Sequence, residues 1–249
     1  MAPTSADIVD EARRLLRLAD EAGVTLRLLG GAAVRLRAPG PLPDTLARDY
    51  GDLDFAAARG SSGEVSRLFR GGGYEPHVEF NALHGKRRLM FLDLERERKA
   101  DVFVGEFAMC HSIPIGDRLD LEAATVPLAE LLLTKLQIVE LNEKDVRDTV
   151  ALLDGHEVAG HDGDAINASR IAALCAADWG LWRTITSNLD RLRSDAHLYL
   201  DDARAATVER RVAELRSRLD AEPKSRGWRL RARVGERVRW YELPEEALG

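Results

Sequence analysis

The sequence predicts an α+β fold in which a mixed sheet flanked by helices precedes a helical region and a terminal β-hairpin. Helical and extended patterns alternate over roughly the first hundred residues, and residues 126–219 read as nearly all helical. Residues 228–243 alternate apolar and polar side chains around Val-Gly-Glu. We therefore expect a mixed domain over residues 1–123 and a helical domain with a C-terminal hairpin over residues 124–249.

The chain begins with a helix, a strand and a second helix. Apolar residues recur three and four positions apart over residues 6–22, which is the period of a helical face. Residues 24–29 are a short apolar run bounded by glycines and read as a buried strand. Gly30 and Gly31 then turn into a short helix that ends at Arg37.

The remaining elements of the mixed half follow a loop. Residues 38–46 contain three prolines and a glycine and do not fit a helix or a strand. A strand over residues 52–57 precedes a helix over residues 61–70. The runs at residues 88–94 and 100–104 flank a charged turn, which indicates a β-hairpin.

The composition is that of an ordinary globular protein. The chain has 249 residues, 45% hydrophobic and 31% charged, and a formal net charge of −6, so no global cationic field attracts nucleic acid or membrane. No apolar stretch approaches the roughly 20 residues that span a bilayer, and the first residues lack a signal-peptide pattern. We expect a cytoplasmic protein with no membrane partner. Cys110 and Cys175 are interpreted as buried thiols.

Two aspartates one residue apart are the first candidate for chemistry. Side chains alternate across a strand, so Asp52 and Asp54 project from one face and repel each other. A divalent cation such as Mg²⁺ or Mn²⁺ relieves that repulsion, and Asp101 on a later strand is a candidate third ligand. Such a site suits phosphoryl or nucleotidyl transfer. The alternative is a solvated strand face without a ligand.

The glycine pair is the second candidate. A helix N terminus presents unpaired N–H groups, and Gly30 and Gly31 would let a phosphate approach that backbone closely. Taken alone, a glycine pair is more often a plain turn. Here the pair precedes two aspartates on one strand and a third on a later strand, and this order makes the combination more specific than the glycine pair alone.

A leucine-rich helix supplies the third candidate. Lys135 lies among leucines, where its charge needs a partner such as a triphosphate, or else its ammonium group extends to water. Asn142 is placed to cap the next helix, so Asp145 has a structural explanation as a first-turn charge. Asp148 has none, and we consider it a candidate base or a group that orients Lys135.

These residues resemble the signature of the nucleotidyltransferase superfamily that includes DNA polymerase beta. That signature is a hydrophobic residue, two small residues beginning with glycine, a spacer and Asp-x-Asp. It is matched here by Leu29, Gly30, Gly31, Asp52 and Asp54. The resemblance implies a nucleotidyltransferase-type mixed sheet with Asp52, Asp54 and Asp101 as metal ligands.

The chain looks most like the AbiEii type of these enzymes, found as toxins of toxin–antitoxin systems. An arginine commonly stands four residues before the paired aspartates in that type, and here it is Arg48. The KDxxD motif of that type is matched by Lys144, Asp145 and Asp148, after a lysine that is matched by Lys135. The resemblance covers residues 24–153. It implies nucleotide-binding roles for Arg48, Lys135 and Asp145 beside Gly30 and Gly31, and a cognate antitoxin as a partner.

We therefore expect an enzyme that moves an NMP from an NTP to a hydroxyl acceptor, with tRNA or another RNA as the acceptor if it is a toxin. The same residues fit a small-molecule acceptor, as in antibiotic-modifying nucleotidyltransferases. Two further hypotheses remain: a catalytically silent nucleotide-binding regulator and an ordinary protein-interaction module. Residues 224–241 contain seven basic residues and one acidic residue. Trp228, Trp240 and Tyr241 within them suit either stacking on RNA bases or a solvated edge hairpin.

Overall fold

The structure is a computed structural model that describes residues 4–243. The helices of its first half are α1 (Ile8–Glu21), α2 (Gly30–Arg37), α3 (Ser62–Gly71) and α4 (Val78–His84). The strands between them are β1 (Leu26–Leu29), β2 (Leu53–Ala57), β3 (Glu75–Pro76), β4 (Arg88–Asp93) and β5 (Arg98–Val104). These strands form one sheet in the order β1-β2-β5-β4-β3. Strands β2 and β5 are parallel and the other neighbours are antiparallel, so the predicted mixed sheet is confirmed.

The two faces of this sheet differ in chemistry. Phe55 of β2 and Phe91 of β4 both contact Phe69 of α3, with ring centroids 5.8 and 4.4 Å apart respectively. Because side chains alternate along a strand, Asp54 and Met90, which precede these two phenylalanines, belong to the other face. One face is therefore an apolar core layer, and the opposite face carries the carboxylate.

The second half is mainly helical and also contains short strands. Its helices are α5 (Leu128–Leu136), α6 (Glu143–Gly155), α7 (Ala168–Ala177), α8 (Trp179–Asp195), α9 (Asp202–Ala221) and α10 (Arg226–Val234). The strands that precede and interrupt them are β6 (Glu106–Ala108), β7 (Ser112–Pro114), β8 (Glu157–Ala159) and β9 (Ala165–Asn167). Strands β6 and β7 form an antiparallel pair, and β8 and β9 form a parallel pair. The helical C-terminal region is confirmed, although two short strands interrupt it.

The two halves share one hydrophobic core, which extends from Ala12 on α1 to Leu219 on α9. The backbone of Leu28 on β1 hydrogen-bonds to Ala124 and Val126, so the segment before α5 lies along the edge of the sheet. Helix α2 contacts both α5 and α6. Helices α5 and α6 are thereby connected to the sheet through α2, which also contacts β1 and β2. The domain division at residues 123 and 124 stays a prediction.

The predicted terminal β-hairpin is wrong. Residues that we expected to form its first strand belong to α10, which begins after Ser225. The side chain of Ser225 accepts a hydrogen bond from the backbone N–H of Trp228, which satisfies a free donor at the helix start. Gly235 ends the helix with a φ of 61°, a conformation that favours glycine. An N-cap and a terminating glycine thus outweigh a short alternation of apolar and polar residues.

Cys110 and Cys175 are buried and free, as expected. None of the helices within residues 4–243 combines the length and the hydropathy that a membrane span requires.

Candidate functional site

Two of the predicted carboxylates lie side by side on the sheet. Asp54 on β2 is directly opposite Asp101 on the parallel strand β5. Asp101 is 2% exposed, whereas Asp54 is partly buried. Asp52 immediately precedes β2 and is exposed to solvent. The sheet register therefore brings Asp54 and Asp101 together, with Asp52 at the rim.

The environment of Asp54 disfavours its charged form. Burial and the negative charges of Asp101 and Asp52 together raise the pKa of its carboxyl to about 6. Lys135 and Lys99 act in the opposite direction on this pKa. Among residues 4–243, no side chain forms a hydrogen bond or an ion pair with the Asp54 carboxylate. A cation placed beside it would stabilise its ionised form.

Asp101 already has two cationic partners, which the sequence did not predict. The Arg88 Nε donates to Asp101 Oδ1 at 3.0 Å, and the Lys99 Nζ lies 3.2 Å from Oδ2. Lys99 stands two residues before Asp101 on the same strand, so period-two alternation alone would have placed it on the same face. Arg88 lies on β4, and its approach depends on the register of the β4–β5 hairpin.

Gly30 approaches Asp54 so closely that any side chain at position 30 would displace the Asp54 carboxylate. It has a φ of 71°, and a Cβ built on it would collide with Oδ2 of Asp54. Gly30 is also the first residue of α2, so the start of that helix lies next to the carboxylate. The glycine is therefore required both by backbone conformation and by this contact.

Gly31 forms the corresponding contact with Arg48. A Cβ at position 31 would collide with the Arg48 guanidinium and would lie 2.8 Å from Cδ1 of Tyr50. The guanidinium carbon of Arg48 stacks 4.2 Å from the centre of the Tyr50 ring. The Tyr50 hydroxyl is buried and has no hydrogen-bond partner among the residues described. The second glycine thus gives Arg48 room to lie against the start of α2.

Arg48 continues into a buried network of charges. Its Nε and Nη2 donate to the two carboxylate oxygens of Asp148 at 2.9 and 2.6 Å. The Lys135 Nζ lies 2.9 Å from Asp148 Oδ2 and 3.1 Å from Asp145 Oδ1. Although burial lowers the pKa of Lys135, both carboxylates raise it, and the net direction is upward. Lys135 is therefore held as a cation, oriented by both carboxylates.

Helix capping explains the position of Asp145, as the sequence predicts. The Asn142 side chain accepts a hydrogen bond from the Asp145 backbone N–H, which begins α6. Asp148 lies one turn further along α6 and is 2% exposed. Lys144, the first residue of the KDxxD motif, is exposed to solvent. The structure thus brings Lys135, Asp145 and Asp148 together and leaves Lys144 outside the network.

The two groups of charges adjoin each other through the start of α2. Gly30 contacts Asp54, Gly31 contacts Arg48, and the charge of Lys135 lowers the pKa of Asp54. The arrangement does not form a ready metal centre: within residues 4–243, no three His, Cys, Asp or Glu side chains are grouped to hold a metal ion. Within the same residues it offers unpaired carboxylate oxygens on Asp52 and Asp54, close to the start of α2 and to an oriented lysine.

No protein-family model matches the chain, and no curated protein matches it. Among solved structures, the chain is similar to the one described as "Crystal structure of JHP933 from Helicobacter pylori". The TM-score is 0.40 and the identity 13%, over 92% of this chain and 99% of that one. Likeness at this level gives no information about function. The comparisons therefore assign this chain to no family.

Proposed function

We propose that this protein is a metal-dependent nucleotidyltransferase that moves an NMP from an NTP to a hydroxyl acceptor. The observation that carries the proposal is the position of Asp54. Its carboxylate is placed between the backbone of Gly30 and the carboxylate of Asp101, and its pKa is raised to about 6. In the described part of the chain, the Asp54 charge has no cationic partner and is disfavoured by burial and by the neighbouring aspartates, so a cation bound beside it would stabilise it, and the start of α2 would stabilise a phosphate.

The free oxygens of this site fit a divalent cation. Carboxylate oxygens are the ligands that Mg²⁺ and Mn²⁺ prefer, and those of Asp52 and Asp54 have no ion pair among the residues described. When bound, such ions would activate an attacking hydroxyl and neutralise charge on phosphate oxygens. Asp101 is already paired with Arg88 and Lys99, and these two cations weaken its attraction for a metal ion. Asp52 and Asp54 are thus the primary ligands in this proposal.

The groups around α2 are suited to bind the triphosphate. The unpaired N–H groups at Gly30 and Gly31 would donate to phosphate oxygens. Lys135 supplies an oriented positive charge, and Arg48 lies beside Gly31. Both of these cations are bound to Asp148, so we assign that aspartate an orienting role instead of the role of a base.

In the proposed reaction the acceptor hydroxyl oxygen forms a bond to the α-phosphorus. The bond between that phosphorus and the bridging oxygen to the β-phosphate breaks, pyrophosphate leaves with the electron pair, and the hydroxyl proton passes to solvent. Within this proposal the acceptor is tRNA or another RNA, and a small-molecule hydroxyl is the alternative. We place the reaction in the cytoplasm, where NTPs are available.

One observation favours a second candidate, a silent nucleotide-binding regulator. The Asp101 carboxylate is already neutralised by Arg88 and Lys99, as it would be in a protein that needs no third metal ligand. The two candidates differ in turnover. A silent regulator would be stabilised by NTP and would transfer nothing, whereas the enzyme would consume NTP.

The test is incubation of the purified protein with Mg²⁺, each α-³²P-labelled NTP in turn and total bacterial RNA. We expect label on RNA with the wild type and with Asp49→Asn, and none with Asp52→Asn. Asp49 is an exposed aspartate three residues before Asp52, so it is a matched control for the change of one carboxylate to an amide. No label on RNA or protein, with NTP still raising the Tm, would favour the silent regulator or a small-molecule acceptor.

A further inference from the structure

A groove runs along the β6–β7 hairpin, outside the residues assigned above to metal and triphosphate. It consists of two cavities of about 320 and 460 Å³. Glu242 lines both cavities, and the consecutive residues Met109 and Cys110 line one cavity each. The cavities are therefore adjacent parts of one surface, which we call the hairpin groove.

The hairpin groove is locally cationic although the chain as a whole has a formal net charge of −6. Five basic side chains line it: Lys86, Arg87, Arg88, Arg231 and Arg239. Its acidic lining residues are Asp178 and Glu242. The Asp178 carboxylate caps α8 and accepts hydrogen bonds from two backbone N–H groups there. Arg87 is paired with Glu106 and Arg88 with Asp101, so the positive charge open to a polyanion is that of Lys86, Arg231 and Arg239.

Aromatic rings lie among these cations. Arg239 stacks over Tyr241 at 5.7 Å, and the rings of Trp240 and Tyr241 are 5.4 Å apart. The segment is held in place, because the Trp240 Nε1 donates to Thr184 Oγ1 at 3.0 Å and the backbone N–H of Glu242 donates to the Cys110 carbonyl. Flat rings interleaved with arginines on an ordered wall are suited to stack on bases and contact phosphates.

The inner end of the groove reaches the carboxylates of the sheet. Arg88 lines the first cavity and donates to Asp101 at 3.0 Å. Its guanidinium carbon lies 5.0 Å from the centre of the Phe103 ring, which lines the same cavity. Arg88 is thus a direct link between the groove and the acidic pair.

We propose that the hairpin groove binds a single-stranded polynucleotide and directs its hydroxyl end toward Asp101. Backbone phosphates contact Lys86 and Arg239, and bases stack on Tyr241 and the ring beside it. The orientation of the strand rests on the proposed function, whereas binding itself does not. A single strand is favoured over a duplex because only unpaired bases offer their faces to the rings.

The test is fluorescence anisotropy with a short 5′-labelled single-stranded RNA, measured without metal or NTP over a series of salt concentrations. Lys86→Glu combined with Arg239→Glu should weaken binding by at least about tenfold and lower the slope of log affinity against log salt by about 1.4, as expected for two lost phosphate contacts. The matched control, Arg17→Glu with Arg210→Glu, changes exposed residues that line neither cavity and alters net charge equally. It should bind as the wild type does.

A change of opposite sign completes the test. Glu242→Gln removes the negative charge that both cavities share, so it should tighten RNA binding. Asp52→Asn should bind RNA normally, which separates this proposal from the proposed function. The proposal is overturned if the wild type does not bind the RNA, if it binds a duplex of the same sequence equally well, or if the groove variant and the control lose affinity to the same extent.

Discussion

Replacing Asp54 with asparagine should stabilise the metal-free protein at pH 8. The pKa of this carboxyl rises from its ordinary value of 3.8 to about 6 in the folded chain, because burial and the neighbouring aspartates disfavour its charge. The folded state then binds a proton more tightly than the unfolded state does. The Asp54 carboxyl therefore contributes stability that is fully present below pH 3.8 and is lost as pH rises through about 6.

The gap between the two pKa values corresponds to about 3 kcal/mol at most. Asparagine keeps the size of the side chain and removes the charge, while still burying an amide. We therefore expect a gain of about 1–3 kcal/mol in the free energy of unfolding at pH 8, or a rise of about 3–10 °C in Tm for a chain of this length. The gain should decline below pH 6 and vanish near pH 4.

Urea unfolding of the wild type, Asp54→Asn and Asp49→Asn at several pH values between 4 and 8 would measure this effect. The Asp49 control should follow the wild type throughout, because that residue is exposed. Adding Mg²⁺ should stabilise the wild type more than Asp54→Asn. Two results would contradict this reasoning: Asp54→Asn less stable than the wild type at pH 8, or a difference that does not depend on pH. Either would mean that the charge of Asp54 is not destabilising in the metal-free protein.

Three further outcomes follow from the same contacts. Asp148→Asn leaves two cations without their shared carboxylate and should cost about 3–5 kcal/mol in urea unfolding; a loss under 1 kcal/mol would contradict the buried network. Gly30→Ala should lower the free energy of unfolding by about 2 kcal/mol or more. The control Gly23→Ala has a similar φ and open space around it, so it should cost about 1 kcal/mol. Equal losses would show that the contact with Asp54 does not contribute to the cost. Asp52→Asn should abolish the rise in Tm that Mg²⁺ gives the wild type, and an unchanged rise would exclude Asp52 as a ligand.

Local patterns predicted most of the sheet and part of the site. Period-two alternation placed Asp52 and Asp54 on one face, and the apolar neighbours of Asp101 placed it on another buried strand. Their direct opposition depends on the parallel pairing of β2 with β5, which residue spacing does not specify. The partnership of Lys135 with Asp148 was foreseeable because an isolated charge among leucines requires compensation.

The features that the sequence did not predict depend on contacts between distant segments. Arg88 reaches Asp101 only through the β4–β5 register, and the hairpin groove forms only where Glu242 meets Cys110. Strands β8 and β9 are three residues long, too short for alternation to distinguish them from a turn. The tail was misread because its alternation was weaker evidence than the serine cap that begins α10.

The central claim is that Asp52 and Asp54 support transfer of an NMP. It is tested most directly by following α-³²P-labelled and γ-³²P-labelled NTP in parallel, with Mg²⁺ and total RNA, for the wild type, Asp52→Asn, Asp54→Asn and Asp49→Asn. We predict that the α-label appears on the acceptor and the γ-label in pyrophosphate, with the wild type and Asp49→Asn only. Transfer of the γ-label to the acceptor, or transfer that persists in both Asp52→Asn and Asp54→Asn, would contradict the account.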